Sequence, residues 1–151
     1  MQLMRDFGVY PAAHSAFLLN LGLETLAVRM KQYCENALCV ARHLSESEKI
    51  ESVTYPGLEG DANYALAQKY LSGASGVISF VIAGGRELAS NEVHVADIRT
   101  CVLHPASETH RQLTDEQLAA AGINAGMVRF SVGLENVGDI ICDIDQALAQ
   151  I

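Results

Sequence analysis

The residues that first invite a chemical reading are Met127-Val128-Arg129-Phe130-Ser131-Val132-Gly133. Strand alternation puts Val128, Phe130 and Val132 on one face and Arg129, Ser131 and Gly133 on the other. An arginine beside small residues is free to present its planar fork to a carboxylate or a phosphate. Two parallel N–H bonds then fix both the position and the orientation of the anion. The same pattern also describes an ordinary arginine on a half-exposed sheet, and the local sequence does not separate the two.

Other constellations are weaker. Cys101, His104 and His110 are donor types that zinc accepts, but their spacing matches no standard finger and a fourth ligand is missing, so no metal site is expected. The plainer reading is a strand running into a polar loop, where Ser107, Thr109 and His110 could line a site. His94 and Asp97 suggest a dyad, yet no GxSxG nucleophile turn exists anywhere in the chain. Gly84-Gly85 lacks both the GxGxxG and the P-loop pattern, which leaves no nucleotide cradle. Paired carboxylates for glycoside chemistry are unmotivated, because the acidic residues fall mostly on the solvent faces of helices.

The elements that must position these groups are legible from periodicity. Apolar residues at Leu23, Leu26, Ala27, Met30, Cys34, Ala37, Leu38, Ala41 and Leu44 mark one face of a long helix, with Cys34 as core packing. Ala12 to Leu19 reads as a helical stretch before it, with Gly22 as the break. Residues 50–55 alternate as a strand. Asp61 is placed to cap a short helix over 62–71. Residues 76–83 are a buried β-branched strand, and 100–103 a short strand halted by Pro105. Thr114 and Gln117 have capping-box spacing for a helix ending near Ala121, and Gly122 stops it. Residues 127–134 form a strand. Asn136 caps a final helix with the stripe Val137, Ile140, Ile141, Ile144, Ala147, Leu148 and Ile151, and Asp139, Asp143 and Asp145 face solvent. The order predicts a single α/β (α+β) domain over residues 1–151. Its core is a small mixed or antiparallel sheet with helices packed on one side.

Composition narrows the class. With 151 residues, half of them apolar and 19% charged, the chain can bury a real core. A net charge of −8 and only three lysines, Lys31, Lys49 and Lys69, argue against nucleic acid. No apolar stretch approaches bilayer-spanning length and no signal peptide is evident, so neither a membrane nor an exported location is expected. Four scattered cysteines without a CxxC pair fit reduced thiols in the cytoplasm.

Several segments, taken in order, carry a resemblance. They are Gly22-Leu23-Glu24-Thr25-Leu26, Arg29-Met30, Cys34-Glu35-Asn36-Ala37, Tyr55-Pro56-Gly57-Leu58, Gly84-Gly85-Arg86-Glu87, His104-Pro105-Ala106-Ser107 with Thr109-His110, and Arg129 through Glu135. Together they resemble the C-terminal part of the Cys/Met-metabolism family of pyridoxal-phosphate enzymes. The stretch from Asp97 to Pro105, with His110-Arg111-Gln112-Leu113 after it, is most similar to the O-acetylhomoserine sulfhydrylase branch.

The resemblance implies the small C-terminal domain of a fold-type I enzyme, which packs on a large cofactor-binding domain. It implies that Arg129 binds the α-carboxylate of a small amino-acid substrate, with His94 and Thr109 near the same site. The parent chemistry would replace the acetate of O-acetylhomoserine by sulfide or methanethiol, in transsulfuration and methionine biosynthesis. Pyridoxal phosphate would be the parent's cofactor. The Schiff-base lysine belongs to the large domain, which this sequence does not contain, so no covalent cofactor and no independent activity are expected here. Relatives carry a longer segment, including a helix, between Gly84-Gly85-Arg86-Glu87 and the Ala96-Asp97 region. Here only 88–95 bridges that gap, which would uncover a sheet face. The expected partner is the missing large domain or further copies of the chain. The alternative, from a different class, is a non-catalytic assembly module or the remnant of a broken enzyme.

Overall fold

The computed structural model describes residues 6–8, 10–83 and 98–150. His94 and the Gly84-Gly85-Arg86-Glu87 segment lie outside the described residues.

The long helical stripe divides into α1 (Ala13–Glu24) and α2 (Leu26–Glu46). The break falls at Thr25, with φ −102° and ψ 1°, and not at Gly22, which stays helical. Arg29 bridges the joint. Its Nη2 donates to the Gly22 carbonyl at 2.6 Å and its Nε to the Thr25 hydroxyl at 3.2 Å, capping a carbonyl that the end of α1 leaves without an intrahelical partner.

Burial also departs from the stripe. Asn36, Ala37, Val40, Ala41 and Leu44 are buried, whereas Leu23, Leu26 and Met30 are exposed and α1 buries no residue. The sheet lies under only the C-terminal half of α2, so the apolar residues further upstream have nothing to cover them among the described residues. Cys34 sits at the transition, half-buried. A Cβ added at Gly73 would come within 3.0 Å of its sulfur.

Among the described residues the strands are β1 (Ile50–Thr54), β2 (Val77–Ile82), β3 (Cys101–Leu103) and β4 (Met127–Ser131), in the spatial order β1-β2-β4-β3. Every neighbouring pair is antiparallel. β1 carries a register shift between Ile50 and Ser52, and β3 has three residues. The helices α3 (Tyr64–Tyr70) and α4 (Asp115–Ala120) lie in the connections, and α5 (Val137–Leu148) closes the order.

The core is one layer between this sheet and α2 with α5. Ala37, Val40, Ala41 and Leu44 meet Ile78, Phe80, Ile82, Val128, Phe130 and Val132 from the sheet, and Ile140, Ile144 and Leu148 from α5. The Phe80 and Phe130 rings lie 6.3 Å apart, tilted by 59°, a favourable aromatic geometry. Removing each large side chain of this layer from water contributes roughly 1.5–3 kcal/mol. At the periphery His43 Nε2 meets Asp145 Oδ1 at 2.6 Å, and Lys49 Nζ donates to the Leu148 carbonyl at 2.6 Å.

Local signals met different fates. Thr114 and Gln117 form the full capping box, and the Asn136 side chain accepts from the Gly138 amide at 2.8 Å. Asp61 does not cap α3, whose N-cap is Asn63. Its carboxylate instead accepts from the Tyr55 amide at 2.9 Å and the Asn63 amide at 2.8 Å. The strand expected over 127–134 ends at Ser131, because the chain beyond it bonds to Gly76 and Ile98 outside the ladder.

Candidate functional site

The face of the sheet turned away from α2 and α5 holds Arg129. In β4 the burial alternates, with Val128 and Phe130 buried and Arg129 and Ser131 only partly so. Register places Ser79 of β2 directly beside Arg129 on one side and Leu103 of β3 on the other, and directly paired residues share a face. Among the described residues no hydrogen bond or ion pair occupies the guanidinium. Arg129 therefore stands on a rigid central strand, next to a small hydroxyl residue, with its fork uncommitted.

Thr109 lies on the loop that leaves the sheet at Leu103, the residue paired with Arg129. It is exposed, and its hydroxyl lies 2.8 Å from His110 Nδ1. The sheet thus brings the Thr109 loop to the strand beside Arg129, whereas His94 falls outside the described residues.

His104 holds this loop. It is 1% exposed, with Nε2 2.8 Å from the Ala125 carbonyl and Nδ1 2.8 Å from the Ser107 hydroxyl. A carbonyl only accepts, so this network puts the ring proton on Nε2 and leaves Nδ1 to accept from Ser107. Both ring nitrogens are engaged in structure. Among the described residues no group of three His, Cys, Asp or Glu side chains is arranged to hold a metal ion.

The end of β4 is locked by residues whose role the sequence pattern did not single out. Glu135 accepts from the Thr100 amide at 2.6 Å and from the Thr100 hydroxyl at 3.0 Å. That hydroxyl oxygen accepts from the Gly133 amide at 2.9 Å. Asn36, buried in α2, donates its amide hydrogens to the carbonyls of Gly133 at 2.9 Å and Glu135 at 3.0 Å, and Gln32 donates to Asn36 Oδ1 at 2.8 Å. Gly133 is required by close approach, since a Cβ there would strike the Thr100 amide nitrogen and the Glu135 carboxylate. The signal available in sequence was Asn36 itself, an amide on an otherwise apolar helical face.

Tyr55 is a second anchor. Its hydroxyl donates to the Ser75 carbonyl at 2.9 Å and lies 3.4 Å from the Cys34 carbonyl. Burial, with the neighbouring Cys34 sulfur adding to it, pushes the phenol up to about 12.

The lysines do not provide a cofactor seat. Lys31 is highly exposed beside Glu35, Lys49 is bound to Leu148, and Lys69 lies over the Tyr70 ring at 5.0 Å. None of these contacts involves Arg129 or its neighbours on β2 and β3, and these residues do not fit a Schiff-base partner for pyridoxal phosphate.

Among the described residues, a small antiparallel sheet carries helices on one face and Arg129 on the other, an α+β arrangement. The chain belongs to the family described as Cys/Met metabolism PLP-dependent enzyme, whose model matches residues 1–149. It is 41% identical to a homocysteine synthase of Schizosaccharomyces pombe, over 97% of this chain and 37% of that protein. It is likewise 41% identical to an O-acetyl-L-homoserine sulfhydrylase of Leptospira meyeri, over 100% of this chain and 37% of that one. An L-methionine gamma-lyase of Fusobacterium nucleatum matches at 40% over 95% of this chain and 39% of its own length. Among solved structures, an O-acetylhomoserine (thiol)-lyase of Campylobacter jejuni superimposes with a TM-score of 0.84 at 39% identity, covering 97% of this chain and 38% of that one. That structure carries N'-pyridoxyl-lysine-5'-monophosphate at its position 205. The chain therefore spans under two-fifths of the length of these relatives.

Proposed function

We propose that this chain is the C-terminal, substrate-side domain of a cytoplasmic enzyme of the O-acetylhomoserine sulfhydrylase type. In this reading Arg129 binds the α-carboxylate of the amino-acid substrate through two parallel N–H bonds, with Thr109 and His94 bordering the same site. The reaction, replacement of acetate by sulfide or methanethiol to give homocysteine or methionine, belongs to the assembled enzyme. The remaining part supplies the lysine and the seat for pyridoxal phosphate, and this domain by itself has no activity.

The observation that carries the reading is Arg129, fixed on the central strand β4 with Ser79 beside it and its fork uncommitted among the described residues. The 41% identity to the Leptospira meyeri sulfhydrylase supports it. The bare apolar surface of α1 and the start of α2 supports a large partner body on that side. The same surface favours a second reading, in which the chain is an assembly module or a remnant that has kept its docking face but contributes no chemistry.

The experiment has two arms. Intact mass after pyridoxal phosphate and borohydride should show no stoichiometric lysine adduct on the isolated chain. Co-expression with the remaining N-terminal part of the Leptospira meyeri relative should then restore homocysteine formation. Arg129→Lys should raise the KM for O-acetylhomoserine about tenfold or more, because one ammonium cannot reproduce the paired bonds. Assembly without turnover would favour the module reading. Turnover indifferent to Arg129→Lys would overturn the assigned role.

A further inference from the structure

Arg129 is held unequally by its two neighbouring strands. Towards β2 it pairs with Ser79 in the middle of a ladder that runs from Val77 to Val81. Towards β3 the ladder covers only Cys101, Val102 and Leu103, and Leu103, opposite Arg129, is its last member. The end of so short a pairing opens first. Leu103 is nevertheless 3% exposed. Directly paired residues share a face, with Cβ atoms about 4.5–5.5 Å apart, so the Leu103 side chain flanks the stem of Arg129.

A side chain closes the open end. His104 follows Leu103 directly and is buried. Its Nε2 donates to the Ala125 carbonyl at 2.8 Å, across the base of the long connection that leaves β3 and returns to β4. Ala125 lies in a turn that is fixed by other bonds. The Asn124 side chain accepts from the Gly126 amide at 2.8 Å, and its carbonyl accepts from the Met127 amide at 3.0 Å. Ile82, at the end of β2, donates its amide to the Gly126 carbonyl at 3.2 Å. His104 thus ties the loose end of β3 to a point already anchored on β2. An apolar side chain would fill the same volume but leave the Ala125 carbonyl unpaired.

We propose that His104 is a positioning residue for the Arg129 site. By closing the end of β3 onto the turn before β4, it keeps Leu103 against the stem of Arg129. The guanidinium is thereby held in the direction in which it receives the substrate carboxylate. The inference rests on the carboxylate-binding reading of Arg129. His104 itself touches no substrate, because Ala125 and Ser107 take both its ring nitrogens.

The test uses the enzyme assembled by co-expression, with KM and kcat for O-acetylhomoserine measured well below the melting temperature of each variant. His104→Asn keeps an acceptor for Ser107 at the Nδ1 position and cannot reach Ala125. It should raise KM about threefold to fivefold and change kcat less than about twofold. His104→Gln carries a donor as far out as Nε2 and should restore KM. Ala125→Gly keeps every side-chain bond and only frees the backbone of the acceptor. It should move KM the same way by about twofold, and it decides the matter if His104→Asn does not assemble. Ile144→Val, in the core on the other face of the sheet, should lower the melting temperature and leave KM unchanged.

A KM that rises in Arg129→Lys but not in His104→Asn or Ala125→Gly would overturn the positioning role alone. A KM that rises as much in Ile144→Val would reduce the effect of His104 to lost stability and overturn it too. Indifference of KM to Arg129→Lys, or no turnover in the assembled parent, would sink the underlying reading and the proposal with it.

Discussion

The carboxylate of Glu135 holds Thr100 at two points, accepting from its backbone amide at 2.6 Å and its hydroxyl at 3.0 Å. One side chain after β4 thus fixes the entry to β3, the strand whose far end launches the loop carrying Thr109.

Truncating this grip has a calculable cost. Glu135→Ala removes two charge-assisted bonds and leaves the Thr100 amide without its partner, so a loss of about 2–3 kcal/mol is expected. Glu135→Gln keeps an acceptor and should lose about half as much. Urea unfolding of the two variants separates these values, and equal losses would mean that the charge contributes nothing.

Asn36 is the less forgiving member of the network. Asn36→Ala orphans the carbonyls of Gly133 and Glu135, at a cost of about 1–3 kcal/mol. Asn36→Asp keeps the volume but turns a carboxylate towards two carbonyl oxygens inside the core, and should destabilise further. Thermal melts at neutral pH rank the three proteins, and an Asn36→Asp melt above that of Asn36→Ala would contradict the donor assignment.

Tyr55 gives a pH signature. Its phenol titrates near 12 in the folded chain against 10.0 ordinarily, so folding favours the protonated form. The corresponding stability is complete below pH 10 and is lost as pH rises to about 12, by on the order of 2–3 kcal/mol. Tyr55→Phe lacks this group, so its stability difference from the parent chain should shrink across that window. A constant difference from pH 9 to 12 would show that the hydroxyl is not confined as described.

The exposed helix predicts behaviour in solution. Phe17 is 60% and Leu19 64% exposed, so Phe17→Gln with Leu19→Gln should leave unfolding stability within about 0.5 kcal/mol. The same pair should shift sedimentation towards monomer and reduce binding of a hydrophobic dye. Unchanged sedimentation would place the self-associating surface elsewhere.

How much of this was legible in sequence depends on where each signal is satisfied. The α5 stripe at Ile140, Ile144 and Leu148, the capping box of Thr114 and the alternation of Val128 and Phe130 with Arg129 are closed by neighbours within the chain, and these were legible. The stripe of α2 from Leu23 to Met30 has the same rhythm as its buried half, because periodicity reports that a face wants covering and not what covers it. Asp61 was misassigned for a related reason. A carboxylate near a helix start and one that ties a turn to a preceding strand have the same local sequence, and the Tyr55 amide decides between them. The Asn36–Gly133–Glu135–Thr100 network joins positions nearly a hundred residues apart, which no local window holds. Arg129 was visible as a type and a face, whereas its strand neighbours Ser79 and Leu103 needed the fold.

The two outer strands decide how this chain can associate. β3 offers a backbone edge only three residues long, and β1 breaks its edge with the shift between Ile50 and Ser52. Among the described residues neither end presents the flat, regular row of amides and carbonyls on which strands from other molecules add indefinitely. The exposed apolar side chains of α1, Phe17 and Leu19 among them, offer encounters between copies a contact surface that is finite and saturates. Precipitates of this domain should accordingly be amorphous and reversible by mild detergent, without the fibre diffraction of stacked strands.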